Sequence, residues 1–274
     1  MKQKEVADVT YLITKDLVEK LRNKYEINLS ESLSAQVKRL GDEFVDRFWL
    51  ASGLPKEIDK LSLDAGELSS KLKALLNGAS FYISLDKVYF PKAPAYLEVT
   101  RRTDQTTGKV ELSERPGNKP LVEQLDSLSG YRKVSLTDVG AFSGDTLMQI
   151  CSMFEARGVR ISRVYLGVSS YELTAKANTR VKFNVVKQFN FYEWIELRDL
   201  LGIDGRAVGL KDGIRTYMPY WENLKEWASI PNDAVGVTAK LCKEYGSCLL
   251  GLIRGSCSRS EERIGEPVKY LKGA

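Results

Sequence analysis

The chain is 274 residues long, 43% hydrophobic and 28% charged, with 41 Lys and Arg against 36 Asp and Glu for a net charge of +5. That balance excludes a disordered or collagen-like chain and allows a core that needs no staples. The mild basic excess suits an anionic ligand but lacks the basic stripe that would point to nucleic acid. There is no histidine, which excludes imidazole bases, Ser-His-Asp and Cys-His nucleophile systems and His-ligated zinc.

Taken in chain order, Val6, Val9, Ile13, Leu17 and Leu21 recur at helical spacing and predict a first helix. Ser30 with Glu31 and Ser32 opens a second, carrying Leu33, Val37, Leu40, Phe44 and Phe48 and ending near Gly53 and Pro55. A third is expected from about Asp64 to Leu76, stopped by Asn77-Gly78. From about residue 79 the pattern changes to strands. Phe81–Leu85 and Tyr96–Thr100 are short β-branched and aromatic runs. The polar, basic stretch 101–120 reads as a hairpin or a loop. Lys133–Thr137 predicts a strand, about Asp145–Arg157 a helix ended by Gly158, and Val164–Val168 a second strand, giving a crossover unit over 133–168. A strand over 181–186 and a helix at about 191–201 follow, then a turn at Asp204-Gly205. An aromatic stretch spans Tyr217 to Trp227, a helix begins near Asn232, and the tail reads as loop. The expected organisation is α/β: an N-terminal helical region over 1–77, a core over 78–230, and a C-terminal helical segment and tail over 231–274.

Cys151, Cys242, Cys248 and Cys257 form no CxxC pair and read as free thiols. No run of about 18 apolar residues occurs, and the start MKQKEVADVT lacks a signal-peptide core. A soluble, cytoplasmic protein without membrane attachment is the expectation.

The segment KVSLTDVGAFSGDTLMQICSMF carries the chemistry. An apolar strand ends in Asp138, and Ser143, Gly144, Asp145 and Thr146 stand where the next helix starts. The first amides of a helix lack intrahelical partners, and its dipole favours an anion there. Gly144 permits close approach of a phosphate, and Ser143 and Thr146 add hydroxyls. Asp138 lies at the carboxyl end of the strand, where open α/β sheets bind ligands. The spacing Asp138-Val139-Gly140 lacks the second carboxylate of a phosphatase DxD nucleophile.

This block resembles the phosphoribosyl pyrophosphate motif of type I phosphoribosyltransferases. Val134–Thr137 takes the strand positions, Asp138 the first acid, and Ser143-Gly144-Asp145-Thr146 the phosphate loop. The resemblance covers Arg132 to Val168. It implies a core parallel sheet flanked by helices, here with an N-terminal helical extension. It also implies a pentosyltransferase that moves ribose 5-phosphate to a base or other acceptor and releases pyrophosphate, with Mg²⁺ carried by the substrate's pyrophosphate rather than a protein metal site. Asp138 then holds the ribose hydroxyls, and Gly140, Ala141, Phe142, Ser143, Gly144, Asp145 and Thr146 complete the ribose 5-phosphate site. Arg101, Arg102, Lys109, Arg115 and Lys119 are candidates for a flap over pyrophosphate, and Tyr217, Tyr220 and Trp221 for stacking on a base. Val139 stands where the motif has its second acid, and Phe142 where purine-type members carry an acid near the base. Asp145 adds negative charge to the loop. These departures support an alternative: a catalytically reduced sensor or effector that binds phosphoribosyl pyrophosphate or a nucleotide, for example in regulation or antiviral defence. The front helices would then serve a protein partner or a homodimer.

Overall fold

The computed structural model describes residues 9–79, 81–104, 107–173, 181–209 and 215–254. Its centre is a seven-stranded, all-parallel sheet in the order β2-β1-β9-β8-β7-β3-β4. The strands are β1 (Val9–Lys15), β2 (Asp59–Asp64), β3 (Tyr82–Ser84), β4 (Ala95–Tyr96), β7 (Lys133–Ala141), β8 (Arg160–Ser170) and β9 (Lys182–Glu196). A second, four-stranded sheet combines β5 (Val99–Asp104), β6 (Val110–Glu114), β10 (Arg206–Gly209) and β11 (Arg215–Met218) in the order β11-β10-β5-β6.

Helices cover both faces of the large sheet, as parallel sheets require. After β1 comes the short turn α1 (Leu17–Glu19), continuing as a π-helical turn Lys20–Lys24. Then come α2 (Glu31–Ala51), α3 (Ala65–Leu76), α4 (Leu121–Leu128), α5 (Asp145–Glu155), α6 (Leu197–Leu200), α7 (Leu224–Trp227) and α8 (Val235–Arg254). Leu12 of β1 joins the core beneath α3, with Leu68, Leu72 and Val139. Its neighbours Tyr11 and Ile13 point the other way, into the core of α2 and α8 with Phe44, Phe48 and Leu249. The third core packs α4 and α5 on Ile83, Leu136 and Val164. Among the described residues, no helix is long and apolar enough to cross a membrane.

The starts of α2 and α3 follow local capping chemistry. The Ser30 hydroxyl accepts the Leu33 amide at 3.2 Å, and Asp64 accepts the Glu67 amide at 2.9 Å. The expected unit over 133–168 is present as β7–α5–β8, with β7 and β8 parallel neighbours. The stretch 101–120 holds the hairpin β5–β6. Cys151 and Cys242 are buried and Cys248 exposed, all three as free thiols, and Cys257 lies outside the described residues.

Three expectations need correction. The region 1–77 is not a helical extension, because Val9–Lys15 is an interior strand of the sheet. The four-residue step from Val9 to Ile13 fits a helix, but the unbroken VTYLIT run is the mark of a strand buried on both faces. The helix expected at 191–201 is mostly strand, since β9 continues to Glu196 and only Leu197–Leu200 turns helical. The motif strand does not stop at Asp138 either. Gly140 and Ala141 still pair with Val168 and Ser169, leaving only Phe142, Ser143 and Gly144 before α5.

Candidate functional site

β9 explains how a cleft arises. Its first half pairs with β8 up to Ser170↔Phe189, and its second half, from Asn190 onward, pairs with β1. The strand therefore overshoots the carboxyl end of β8, and Glu193, Trp194 and Glu196 stand as a wall above the end of the sheet. The second sheet supplies the opposite wall. Between them lies a cleft of about 410 Å³ at the carboxyl ends of the central strands, where parallel α/β sheets bind ligands.

The turn after β7 forms the cleft floor. Asp138, Val139, Gly140, Ala141, Phe142, Ser143, Gly144, Asp145 and Thr146 all line it. Gly140 has no room for a Cβ, which would come within 2.8 Å of the Val168 carbonyl oxygen and 2.9 Å of the Trp194 ring. Gly144 caps α5 with φ +81°, in the left-handed region where glycine is at ease. The Ser143 hydroxyl donates to the Asp145 carboxylate at 2.7 Å, which folds that acid onto the turn. Val139 also borders the cleft but is buried in the α3 core, 4% exposed.

Asp138 is half-buried. Its Oδ1 accepts the Val139 amide at 2.8 Å, and among the described residues Oδ2 accepts no hydrogen bond. Burial, with the Asp86 carboxylate adding to it, pushes Asp138 up to about 7. An unfolded aspartate titrates near pH 4, so the folded chain holds this proton more tightly. The stability linked to it is complete below pH about 4 and is lost as the pH rises toward 7. Asp138→Asn removes that loss. The variant is expected to match the parent at pH 4 and to exceed its stability at pH 8 by about 1–2 kcal/mol, allowing for solvent access. Denaturant unfolding at the two pH values checks this, and a pH-independent difference would contradict it.

Beneath the cleft lies a buried ionic hub. Arg198, 3% exposed, contacts Asp16 at 2.9 Å, Asp86 at 3.0 Å and also Glu196. Lys20 pairs with Asp204 beside it. Burial alone would raise Asp86, but the charges of Arg198, Arg115 and Lys20 outweigh it and hold the carboxyl below its usual range. Asp86 and Glu196 line the cleft as well, so the hub forms part of its floor.

The expected flap residues separate. Arg101 and Arg115 line the cleft, the latter held by Glu98 at 3.5 Å and by the Leu85 carbonyl at 3.4 Å. Arg102 and Lys109 instead pair with Glu111, at 3.1 and 2.9 Å, and Lys119 is exposed outside the cleft. The hairpin is half of a four-stranded sheet, so its arginines sit on a braced wall. None of the expected stacking residues lines the cleft. Trp221 is core, 4% exposed and packed over Gly202. Tyr220 packs edge-on against Trp227 at 5.8 Å, and Tyr217 lies beside Arg115. The aromatics that face the cleft are Phe142, Trp194 and Trp227. Phe142 stacks on Phe191 at 5.3 Å, and Phe191 on Trp194 at 6.4 Å.

Sequence reasoning therefore missed Asp86, Glu193, Trp194, Glu196, Arg206 and Trp227. Asp86 carried the same signal as Asp138, an acid directly after a short apolar strand. The expected helix over 191–201 hid the β9 residues. In comparison with known proteins, the chain matches no family model, and no curated protein matches it.

Proposed function

We propose that the chain is a phosphoribosyltransferase-like protein of the type I kind, binding phosphoribosyl pyrophosphate in the cleft and transferring its ribose 5-phosphate to an acceptor. One observation carries this reading: the 142–146 turn, Asp138, Arg101 and Arg115, distant in sequence, line one cleft at the carboxyl ends of the sheet. The turn offers helix-start amides to the 5-phosphate. Asp138 accepts from a ribose hydroxyl through Oδ2. Its carboxylate is also a hard oxygen donor suited to Mg²⁺ or to metal-bound water, and Mg²⁺ supplies charge neutralisation for the departing pyrophosphate. Arg101 and Arg115 add cationic side chains for the charge that develops on the leaving group.

Titrating the full chain with phosphoribosyl pyrophosphate and Mg²⁺ tests binding, and pyrophosphate release with a panel of bases tests transfer. Asp138→Asn is expected to weaken binding about 10- to 100-fold, the range of one hydrogen bond to a charged group. Parent affinity is expected to rise between pH 6 and 8, as Asp138 loses its proton near 7. A parent chain that does not bind phosphoribosyl pyrophosphate overturns the reading.

The sensor reading has its own support. With Val139 turned into the α3 core, the second acid position of the motif places no carboxylate on the ligand. Tight binding without pyrophosphate release from any base is the result it predicts.

A further inference from the structure

On the cleft wall opposite the 142–146 turn, two arginines stand side by side. β10 runs parallel to β5 with Ala207 opposite Arg102, so Arg206 and Arg101 occupy the adjoining register position and share a face. Both line the cleft. Like charges on neighbouring strands repel, and partial loss of solvent in the cleft together with the Arg206 charge lowers Arg101. Such a pairing normally brings in a carboxylate. Among the described residues, however, neither arginine belongs to an ion pair within 4 Å. Arg206 lies beside Tyr220, and its Nε–H is buried without an acceptor.

The nearby acids are engaged elsewhere. Glu193 accepts the Trp194 amide at 3.0 Å and the Ser229 hydroxyl at 2.7 Å, and Asp145 accepts from Ser143. Two cations that form no ion pair among the described residues therefore line the cleft, and Arg206 keeps one buried N–H without an acceptor. A guanidinium fork presents several N–H donors in the geometry that phosphate oxygens accept.

We infer that Arg101 and Arg206 form a phosphate site on the second sheet, closing from above on a phosphorylated ligand seated in the cleft. The inference builds on the function proposed above, to which it adds Arg206 and a rigid, sheet-borne cationic wall. Two parts of the ligand carry the required oxygens, the 5-phosphate of the sugar and the pyrophosphate.

Calorimetric titration of the full chain with ribose 5-phosphate, inorganic pyrophosphate and phosphoribosyl pyrophosphate separates the cases. Arg206→Met and Arg101→Met are each expected to weaken at least one of these ligands about 10- to 100-fold, and Arg206→Lys to keep part of the affinity. A loss seen with ribose 5-phosphate assigns the pair to the sugar phosphate, whereas a loss confined to pyrophosphate assigns it to the leaving group. Arg101 is exposed, so its variant remains informative if Arg206→Met fails to fold. Parent-like binding of all three ligands by Arg101→Met together with a folded Arg206 variant overturns the inference and leaves the proposed function standing. Arginine-dependent binding of pyrophosphate by a chain that ignores phosphoribosyl pyrophosphate overturns the proposed function and keeps the phosphate site. A parent that binds none of them overturns both.

Discussion

Arg198→Met is expected to destabilise the fold by about 3–5 kcal/mol at pH 7, the range for removing one partner of a buried ion pair. The guanidinium holds Asp16, Asp86 and Glu196 at 3% exposure, and the Arg198 amide donates to Asp16 Oδ1 at 3.1 Å. Methionine matches much of the side-chain volume but leaves those carboxylates buried without their shared cation. Lys20 is engaged with Asp204 and replaces it only in part. The loss should shrink as the pH falls toward 4, because carboxyls stranded in this way take up protons and shed the uncompensated charge. Denaturant unfolding of parent and variant at pH 7 and pH 4 measures both effects. A loss below about 1 kcal/mol at pH 7 would show that the hub contributes little net stability, as buried ion networks sometimes do.

The position of this hub explains why the cleft has the shape it has. Asp16 follows β1, Asp86 follows β3, and Glu196 ends β9. In the sheet order β9 and β3 are separated by β8 and β7, so a flat sheet would hold them about 14 Å apart at the usual strand spacing. One guanidinium reaches both, so the sheet curls at its carboxyl edge and the strand ends converge. The same curl lets the overshooting half of β9 face the β7–α5 turn. Arg198 thus acts on the site by positioning Asp86 and Glu196, and the ligand-facing groups sit on a floor fixed by ionic contacts.

The legible parts of this architecture were those decided by near neighbours in the chain. Ser30 and Asp64 as caps, the β7–α5–β8 unit and the turn at Ser143–Thr146 all rest on signals within a few residues of each other. β1 was ambiguous because Val9, Ile13, Leu17 and Leu21 also satisfy a helical period, which competes with the unbroken VTYLIT run, and the pairing with β2 and β9 decides for the strand. β9 was illegible for a related reason, since its partner changes midway from β8 to β1. The opposite wall of the cleft depends on which strands become neighbours. Arg206 gains meaning only beside Arg101, and Trp194 only where β9 passes the end of β8. Tyr217 and Trp221 looked available because aromatics cluster there, but Trp221 is consumed by packing on Gly202 and Tyr217 lies beside Arg115 without lining the cleft.

Gly144→Val is expected to abolish phosphate binding while destabilising the chain by about 2–5 kcal/mol. Gly144 has φ +81°, where an L-residue is strained by about 1–2 kcal/mol and a β-branched one is least tolerated. An added Cβ would overlap Cδ1 of Leu173, which belongs to the α5 core, so overpacking adds a further penalty of about 1–3 kcal/mol. The chain relieves both only by swinging the backbone out of the left-handed conformation. That rotates the amides at the start of α5 away from the cleft. Losing two or three charge-assisted hydrogen bonds at once would lower affinity for ribose 5-phosphate by more than about 100-fold. Gly144→Ala keeps the backbone strain with less bulk and should fall between parent and valine. Stability is read from thermal unfolding and binding from calorimetry on the fraction that remains folded. If folded Gly144→Val binds ribose 5-phosphate as the parent does, the phosphate is held elsewhere in the cleft, and the Arg101–Arg206 wall becomes the first place to look for it.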